Sequence, residues 1–233
     1  MDPNLQRTLE KTGCRVAENL LPQIVVLPED EEAIVRLIKV SAEKRLRICP
    51  LGKGTSFPAN YQPPEGLVFL MTTGMNQLLD LRLLDALVVA EAGMLTSDLA
   101  ERLAGTDLDF PPILADYPGT LGGAVLGPDP TGLRHAEVRR RLLGLELMDP
   151  RGRLLKFGSS AIKNVAGYDY WSYLVGTEGR FGVLIRLILN LEKMPPIEKL
   201  PHPDPLCESE SNPTWWIFAN LCKTLDPDGI FVR

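Results

Sequence analysis

Histidine is nearly missing from this chain: His135 and His202 are the only two in 233 residues. Cysteine is sparse as well, and Cys14, Cys49, Cys207 and Cys222 show no C-x-x-C spacing. That disfavours a zinc or iron–sulfur centre built from Cys and His, so no metal site is expected. The thiols read as small buried hydrophobes or idle groups. There is also no apolar run near the roughly 20 residues that a membrane-crossing helix needs. The best stretch, Val183 to Leu191, is short and broken by Arg186 and Asn190. The N-terminus, MDPNLQRTLEKTG, lacks both the apolar core of a secretory signal and the Arg-rich, acid-poor character of a transit peptide. A cytoplasmic location with no membrane span is the expectation. Positive charge is in deficit, with 25 Lys and Arg against 30 Asp and Glu, a net charge of −5. A dedicated nucleic-acid partner is therefore not expected. What remains is an ordinary globular composition, 45% hydrophobic and 24% charged. A chain this long can bury enough surface to fold without disulfides or metal.

Two opposite composition shifts organise the chain. Twelve of the 20 glycines fall between Gly119 and Gly182, and six of the 20 prolines fall between Pro195 and Pro213. The proline-rich stretch cannot form a continuous helix or a central strand, so it reads as a surface linker over 196–213. Ahead of the glycine zone, strand and helix patterns alternate. Ile24 to Leu27 is a β-branched run bounded by prolines. In EDEEAIVRLIKVSAEK, Ile34, Leu37, Ile38 and Ser41 recur at helical spacing, with Glu29 to Glu32 at one end and Lys39, Lys44 and Arg45 at the other, as the helix dipole favours. Leu46–Cys49, Gly66–Met71 and Leu87–Ala90 read as strands, and Thr96 as the N-cap of SDLAERLA. Leu142–Met148 and Arg153–Phe157 read as a hairpin around Asp149-Pro150-Arg151-Gly152, and Val183–Leu191 as a late strand. In the tail, Phe218, Leu221, Cys222 and Leu225 fall on one helical face.

Three glycine clusters could carry chemistry. Gly52-Lys53-Gly54-Thr55-Ser56 directly follows a predicted strand. Glycine admits positive φ, so successive N–H groups can face one concavity and bind phosphate oxygens. Lys53, Thr55 and Ser56 add donors. The loop is not a Walker A motif, because Gly54 follows Lys53 where a hydroxyl residue would hold magnesium, and it is not a Rossmann fingerprint. Pro118-Gly119-Thr120-Leu121-Gly122-Gly123 again suits close approach of backbone to a ligand, or a plain tight turn. Gly176-Thr177-Glu178-Gly179-Arg180-Phe181-Gly182 puts glycine at every third position, which costs about 1 kcal/mol per glycine in a helix and so reads as a loop. Lys163-Asn164-Val165-Ala166-Gly167-Tyr168-Asp169 precedes it. Each cluster lies near a strand end, and all of them together could grip a long diphosphate-containing cofactor.

The succession PLGKGTS, MNQLLDL, VVAEAG, PGTLGG, LLGLELMDPRGRLLKFG, IKNVAGYD and GTEGRFGVL resembles the FAD-binding domain of the vanillyl-alcohol oxidase / p-cresol methylhydroxylase family, with the FAD-binding subunit of bacterial glycolate oxidase as its nearest likeness. The likeness covers about residues 20–195. It implies an α+β fold of two subdomains, about 1–75 and 76–195, with FAD between them, followed by the linker and a C-terminal helix and tail over 214–233. It implies that Gly52, Lys53, Gly54, Thr55 and Ser56 form the pyrophosphate loop. Pro118, Gly119, Thr120, Gly122 and Gly123 would form a second wall. Lys163, Asn164, Gly167 and Tyr168 would lie near the flavin or diphosphate, and Gly179, Gly182 and Val183 near the adenosine end. The first loop contains no histidine for covalent attachment, so non-covalent FAD is implied. KTLDPDGIF is similar to the family's closing segment, where the chain end returns to the flavin domain. Two departures stand out. His135-Ala136 and Arg139-Arg140 replace the family's aromatic-glycine and Arg-Asp pairs, and the sizeable substrate domain of relatives is largely missing. No catalytic residue can be named, and His135 and His202 read as structural or solvated.

The resemblance implies a flavin-carrying subunit of a multi-subunit 2-hydroxy-acid oxidoreductase, partnered by a full-length flavin subunit and an iron–sulfur subunit. The alternative is an assembly subunit that keeps the fold and has lost FAD. A stand-alone flavin reductase of the cell-wall precursor type would need a third domain, for which there is no room. A missing substrate domain would leave apolar surface open, and Trp215 to Phe218 add more, so self-association of the isolated chain is expected.

Overall fold

The computed structural model describes residues 3–17, 24–56, 62–158, 170–195, 197, 220–221 and 223–232. Lys163, Asn164, Gly167 and Tyr168 lie outside the described residues, as do His202, Cys207, Cys222 and Trp215 to Phe218.

Two sheets carry the structure. The first has strand order β1-β2-β4-β3, from β1 (Cys14–Ala17), β2 (Ile24–Pro28), β3 (Arg47–Leu51) and β4 (Leu67–Met71). β2 and β3 both run parallel to β4, and β1 is antiparallel to β2. Every residue of β4, LVFLM, is buried, as expected of a central strand covered on both faces. Helix α2 (Glu31–Lys44) crosses between β2 and β3. Asp30 caps it by accepting the Ala33 N–H at 2.7 Å, and Arg45 ends it in the left-handed conformation, φ 56°. Its apolar stripe, Ala33, Ile34, Leu37 and Ile38, packs on Val26, Ile48, Val68 and Leu70 together with Leu9 of α1 (Pro3–Glu10). Each large side chain so buried contributes about 1.5–3 kcal/mol.

The second sheet has strand order β5-β6-β9-β7-β8, antiparallel throughout, from β5 (Leu78–Arg82), β6 (Leu87–Glu91), β7 (Leu142–Met148), β8 (Leu154–Gly158) and β9 (Val183–Asn190). Its core is shared with α3 (Thr96–Leu103), α4 (Pro112–Ala115), α5 (Leu121–Leu126) and α6 (Leu133–Arg141). Thr96 does not cap α3 as the sequence suggests. Leu95 occupies the cap position without a side-chain bond, while the Thr96 hydroxyl donates to the Tyr117 carbonyl at 2.6 Å. Helix α6 has almost no apolar stripe. Its buried side is Arg134, His135, Glu137, Val138 and Arg141. Arg141 is fully buried, pairs with Glu137 and with Asp109 at 2.5 Å, and donates to the carbonyls of Asp109, Asn190 and Glu192.

The two sheets are joined through α2. Met148, Val183 and Ile185 of the second sheet complete the apolar cluster around Ile34 and Leu37. Arg186 of β9 pairs with Glu146 of β7 and with Glu31 at the start of α2. The chain end also returns to the first sheet. Phe231 bridges Ile48 in parallel, on the side of β3 away from β4. The Ile48 N–H donates to the Ile230 carbonyl at 2.5 Å, and the Val232 N–H to the Ile48 carbonyl at 2.9 Å. Asp226 fixes this return, its two carboxylate oxygens accepting the N–H groups of Ile230 and Phe231. Residues 220–221 and 223–225 are helical, and Leu221 and Leu225 of the apolar face expected there are each 47% exposed.

Candidate functional site

β3 runs parallel to β4 and ends at Leu51, and the chain turns there into Gly52–Ser56. Loops at the carboxyl ends of parallel strands are where α/β sheets bind ligands. Gly54 takes φ 80°, a conformation that glycine adopts without strain. Facing this loop from the second sheet is the start of α5. The Gly119–Gly123 segment is a helix entry, not the tight turn the sequence also allowed. The Thr120 hydroxyl caps it by accepting the Gly123 N–H at 3.1 Å. The two segments touch, since a Cβ placed on Gly52 would lie 2.1 Å from the Thr120 hydroxyl oxygen.

Between them lies a cleft that opens to solvent. Gly52, Lys53, Gly54, Thr55 and Ser56 line one side, Gly119, Thr120, Gly122 and Gly123 the other, and Glu178 and Gly179 close one end. The cleft thus brings together residues from all three glycine clusters. Pro118, Gly182 and Val183 do not line it. Pro118 is exposed, Val183 is a fully buried core residue, and a Cβ on Gly182 would lie 2.1 Å from the Met148 carbonyl. The last two build the junction of β9 with β7, where Val183 pairs with Met148.

The amide inventory sharpens this picture. In α5, the N–H groups of Leu121 and Gly122 are taken by the carbonyls of Met94 and Ala92, each at 2.8 Å. That of Gly123 is taken by Thr120. By contrast, the N–H groups of Lys53, Gly54, Thr55, Ser56, Gly119, Thr120 and Gly179 have no partner among the described residues. Gly119, Thr120 and Gly179 are buried. Buried N–H groups are nearly always bonded, to protein, water or ligand, so this set calls for acceptor oxygens in the cleft.

Several lining residues went unread in the sequence. Tyr117 is the cleft's one aromatic side chain among the described residues, and the Arg134 guanidinium lies 4.6 Å from its ring centre. The signal was an aromatic residue directly before Pro118-Gly119. Glu178 takes φ 61°, uncommon for a non-glycine residue, with its N–H donating to the Leu126 carbonyl. His135 is buried, with Nε2 2.8 Å from the Gly127 carbonyl oxygen, and its N–H donates to Asp129. That Asp129 carboxyl lies below the usual carboxylate range. Burial would raise it, but the His135 N–H, the Thr131 hydroxyl and the Arg134 charge outweigh burial. Cys14 is displaced the other way, burial pushing its thiol up. Among the described residues, no group of His, Cys, Asp and Glu could hold a metal ion, and no helix is long and apolar enough to cross a membrane.

A family model described as "FAD binding domain" matches residues 22–158. The chain belongs to the FAD binding domain family. Its relatives include the glycolate oxidase subunit GlcD of Bacillus subtilis (strain 168), 29% identical over 201 residues, 85% of this chain and 43% of that protein. The mitochondrial cytochrome D-lactate dehydrogenase of Arabidopsis thaliana is 31% identical over 178 residues, 75% of this chain and 31% of that one. An alkyldihydroxyacetonephosphate synthase structure shares the fold, with TM-score 0.57 and 21% identity, covering 73% of this chain and 32% of that chain. The chain therefore spans less than half the length of these relatives. FAD is the cofactor of the FAD binding domain, and the residues present fit it: the unpartnered amides suit a diphosphate, with Lys53 beside them as a cation.

Proposed function

We propose that this chain is the FAD-binding subunit of a multi-subunit flavin oxidoreductase of the glycolate or 2-hydroxy-acid oxidase type. It binds FAD non-covalently and relays electrons with partner subunits. The observation that carries the reading is the meeting of loops from both sheets around one cleft, with seven amides there that lack partners among the described residues. Bound FAD supplies the redox chemistry, and the protein supplies binding, orientation and electrostatics. Gly52–Ser56, Gly119, Thr120 and Gly179 hold the diphosphate stretch, and Lys53 adds positive charge. Lys163, Asn164, Gly167 and Tyr168 are assigned to the cofactor by resemblance alone. No side chain here is assigned as the acid or base of the reaction; His135 faces the Gly127 carbonyl. Substrate chemistry belongs to a complex containing a full-length flavin subunit and an iron–sulfur subunit. The exposed Leu79, Leu83 and Leu84 at the β5–β6 hairpin offer apolar surface for such a partner, or for self-association of the isolated chain. We assign the chain to the cytoplasm, and the buried Cys14, which forms no disulfide, suits that location.

The test is the absorption spectrum of the purified chain before and after incubation with FAD. A flavin spectrum whose chromophore is released intact by acid precipitation is expected. A chain that stays colourless in excess FAD, alone and in its co-purified complex, overturns the proposal. The second reading, an assembly subunit that has lost FAD, is favoured by one observation: α5 has already committed its Leu121, Gly122 and Gly123 amides internally. It requires unchanged turnover of the complex when Lys163→Ala and Gly122→Val are introduced.

A further inference from the structure

We infer that Tyr117 is a cofactor-binding residue whose phenolic hydroxyl donates a hydrogen bond to an oxygen in the phosphate–ribityl stretch of FAD. This rests on the reading of the cleft as the FAD site.

Tyr117 is half-buried in the cleft wall. Arg134 lies over its ring at 4.6 Å, and that guanidinium is itself fixed by the carbonyls of Ala124 at 3.0 Å, Gly127 at 3.1 Å and Pro128 at 2.6 Å. A cation over an aromatic face contributes about 0.5–2 kcal/mol, enough to favour one orientation of the ring. The α5 entry is shaped around it. A Cβ on Gly119 would lie 2.5 Å from the Tyr117 ring, and one on Gly123 would lie 3.1 Å from its hydroxyl oxygen. These two glycines therefore make room for the tyrosine as well as for a ligand. The hydroxyl itself has no hydrogen-bond partner among the described residues. Solvent reaches it, so an acceptor on a bound ligand can take the place of water there. Here the ring is anchored by Arg134 and the only polar atom it presents is left over, close to where the Gly119 and Thr120 amides also lack partners. A phenol donor completes that set toward an acceptor oxygen. A phosphate and a ribityl hydroxyl both offer one.

The experiment compares the wild-type chain with Tyr117→Phe by titration with FAD and, separately, with ADP, alongside thermal denaturation without ligand. Phenylalanine keeps the ring and its stack on Arg134. FAD affinity is expected to fall about tenfold, with the melting temperature unchanged. A parallel loss for ADP places the acceptor on the diphosphate, and a loss confined to FAD places it on the ribityl chain. Equal FAD affinity in the two proteins overturns the inference while leaving the cofactor site standing. Tighter FAD binding by Tyr117→Phe also overturns it, and identifies the hydroxyl as an obstacle. If the wild-type chain binds no FAD, the reading of the cleft falls and this inference falls with it.

Discussion

Gly52→Ala is the most demanding test of the cleft, because it acts where its two walls meet. The new methyl carbon would lie 2.1 Å from the Thr120 hydroxyl oxygen and 3.1 Å from the Thr120 Cβ and Cγ2. Thr120 cannot simply swing away. It is fully buried, and its hydroxyl caps α5 through the Gly123 N–H. Rotating it forfeits the cap, about 1 kcal/mol, and leaving it in place overpacks the junction, about 1–3 kcal/mol. The substitution is therefore expected to destabilise the protein by about 1–3 kcal/mol, which for a chain of this size lowers the melting temperature by about 2–12 °C. Urea denaturation of Gly52→Ala, Thr120→Ala and the double variant forms a cycle. Removing the threonine hydroxyl and methyl vacates the space the new methyl needs, so the double variant is expected to be at least about 1 kcal/mol more stable than the sum of the single effects implies. Strict additivity, or an unchanged melting temperature for Gly52→Ala, would refute the claim that the two glycine segments are in direct contact.

Two other expectations follow from buried charge. Arg141→Leu removes the fully buried partner of the Glu137 carboxylate, which keeps Arg140 at 2.8 Å, and strands Asp109 and the carbonyls of Asp109, Asn190 and Glu192. The expected cost is about 3–5 kcal/mol by urea denaturation, and Glu137→Gln on that background should recover part of it. Asp129 is held in its ionised form by the fold, so its carboxyl sits below the unfolded value of about 3.9. A depressed carboxylate contributes stability above the unfolded value and loses it as pH falls through the folded one. The stability gap between wild type and Asp129→Asn is thus expected to be flat above about pH 5 and to close as the solution is acidified below about pH 4. A gap that widens on acidification contradicts the assignment.

The elements legible in the sequence were those whose apolar residues follow the period of the backbone. α2 shows its stripe at Ile34, Leu37 and Ile38, and the β7–β8 hairpin shows its strands on either side of Asp149–Gly152. Helix α6 was not legible, because its inward side is arginine, histidine and glutamate, satisfied by nearby carbonyls and carboxylates and, for Arg141, by groups far off in sequence such as the Asn190 carbonyl. β5 was read as part of a family segment but not as a strand. It is an edge strand with Leu79 pointing outward, and its LLDLR sequence alternates poorly. In the site, the glycine clusters pointed to a shared concavity, but glycine alone does not tell which amides are spent inside the fold. Gly122 and Gly119 look alike in PGTLGG, yet the Gly122 amide is bonded to Ala92 while the Gly119 amide lacks a partner among the described residues. Tyr117 was passed over because its meaning comes from Arg134, which is distant until α5 and α6 pack together.

The return of Ile230–Val232 alongside Ile48 has a practical consequence. Without those residues, β3 would present a bare row of donors and acceptors, the kind of margin on which proteins polymerise. Chains truncated before Asp226 are thus expected to precipitate during purification. Anything that pulls on Ile230–Val232 would also tug on β3, the strand that leads straight into Gly52.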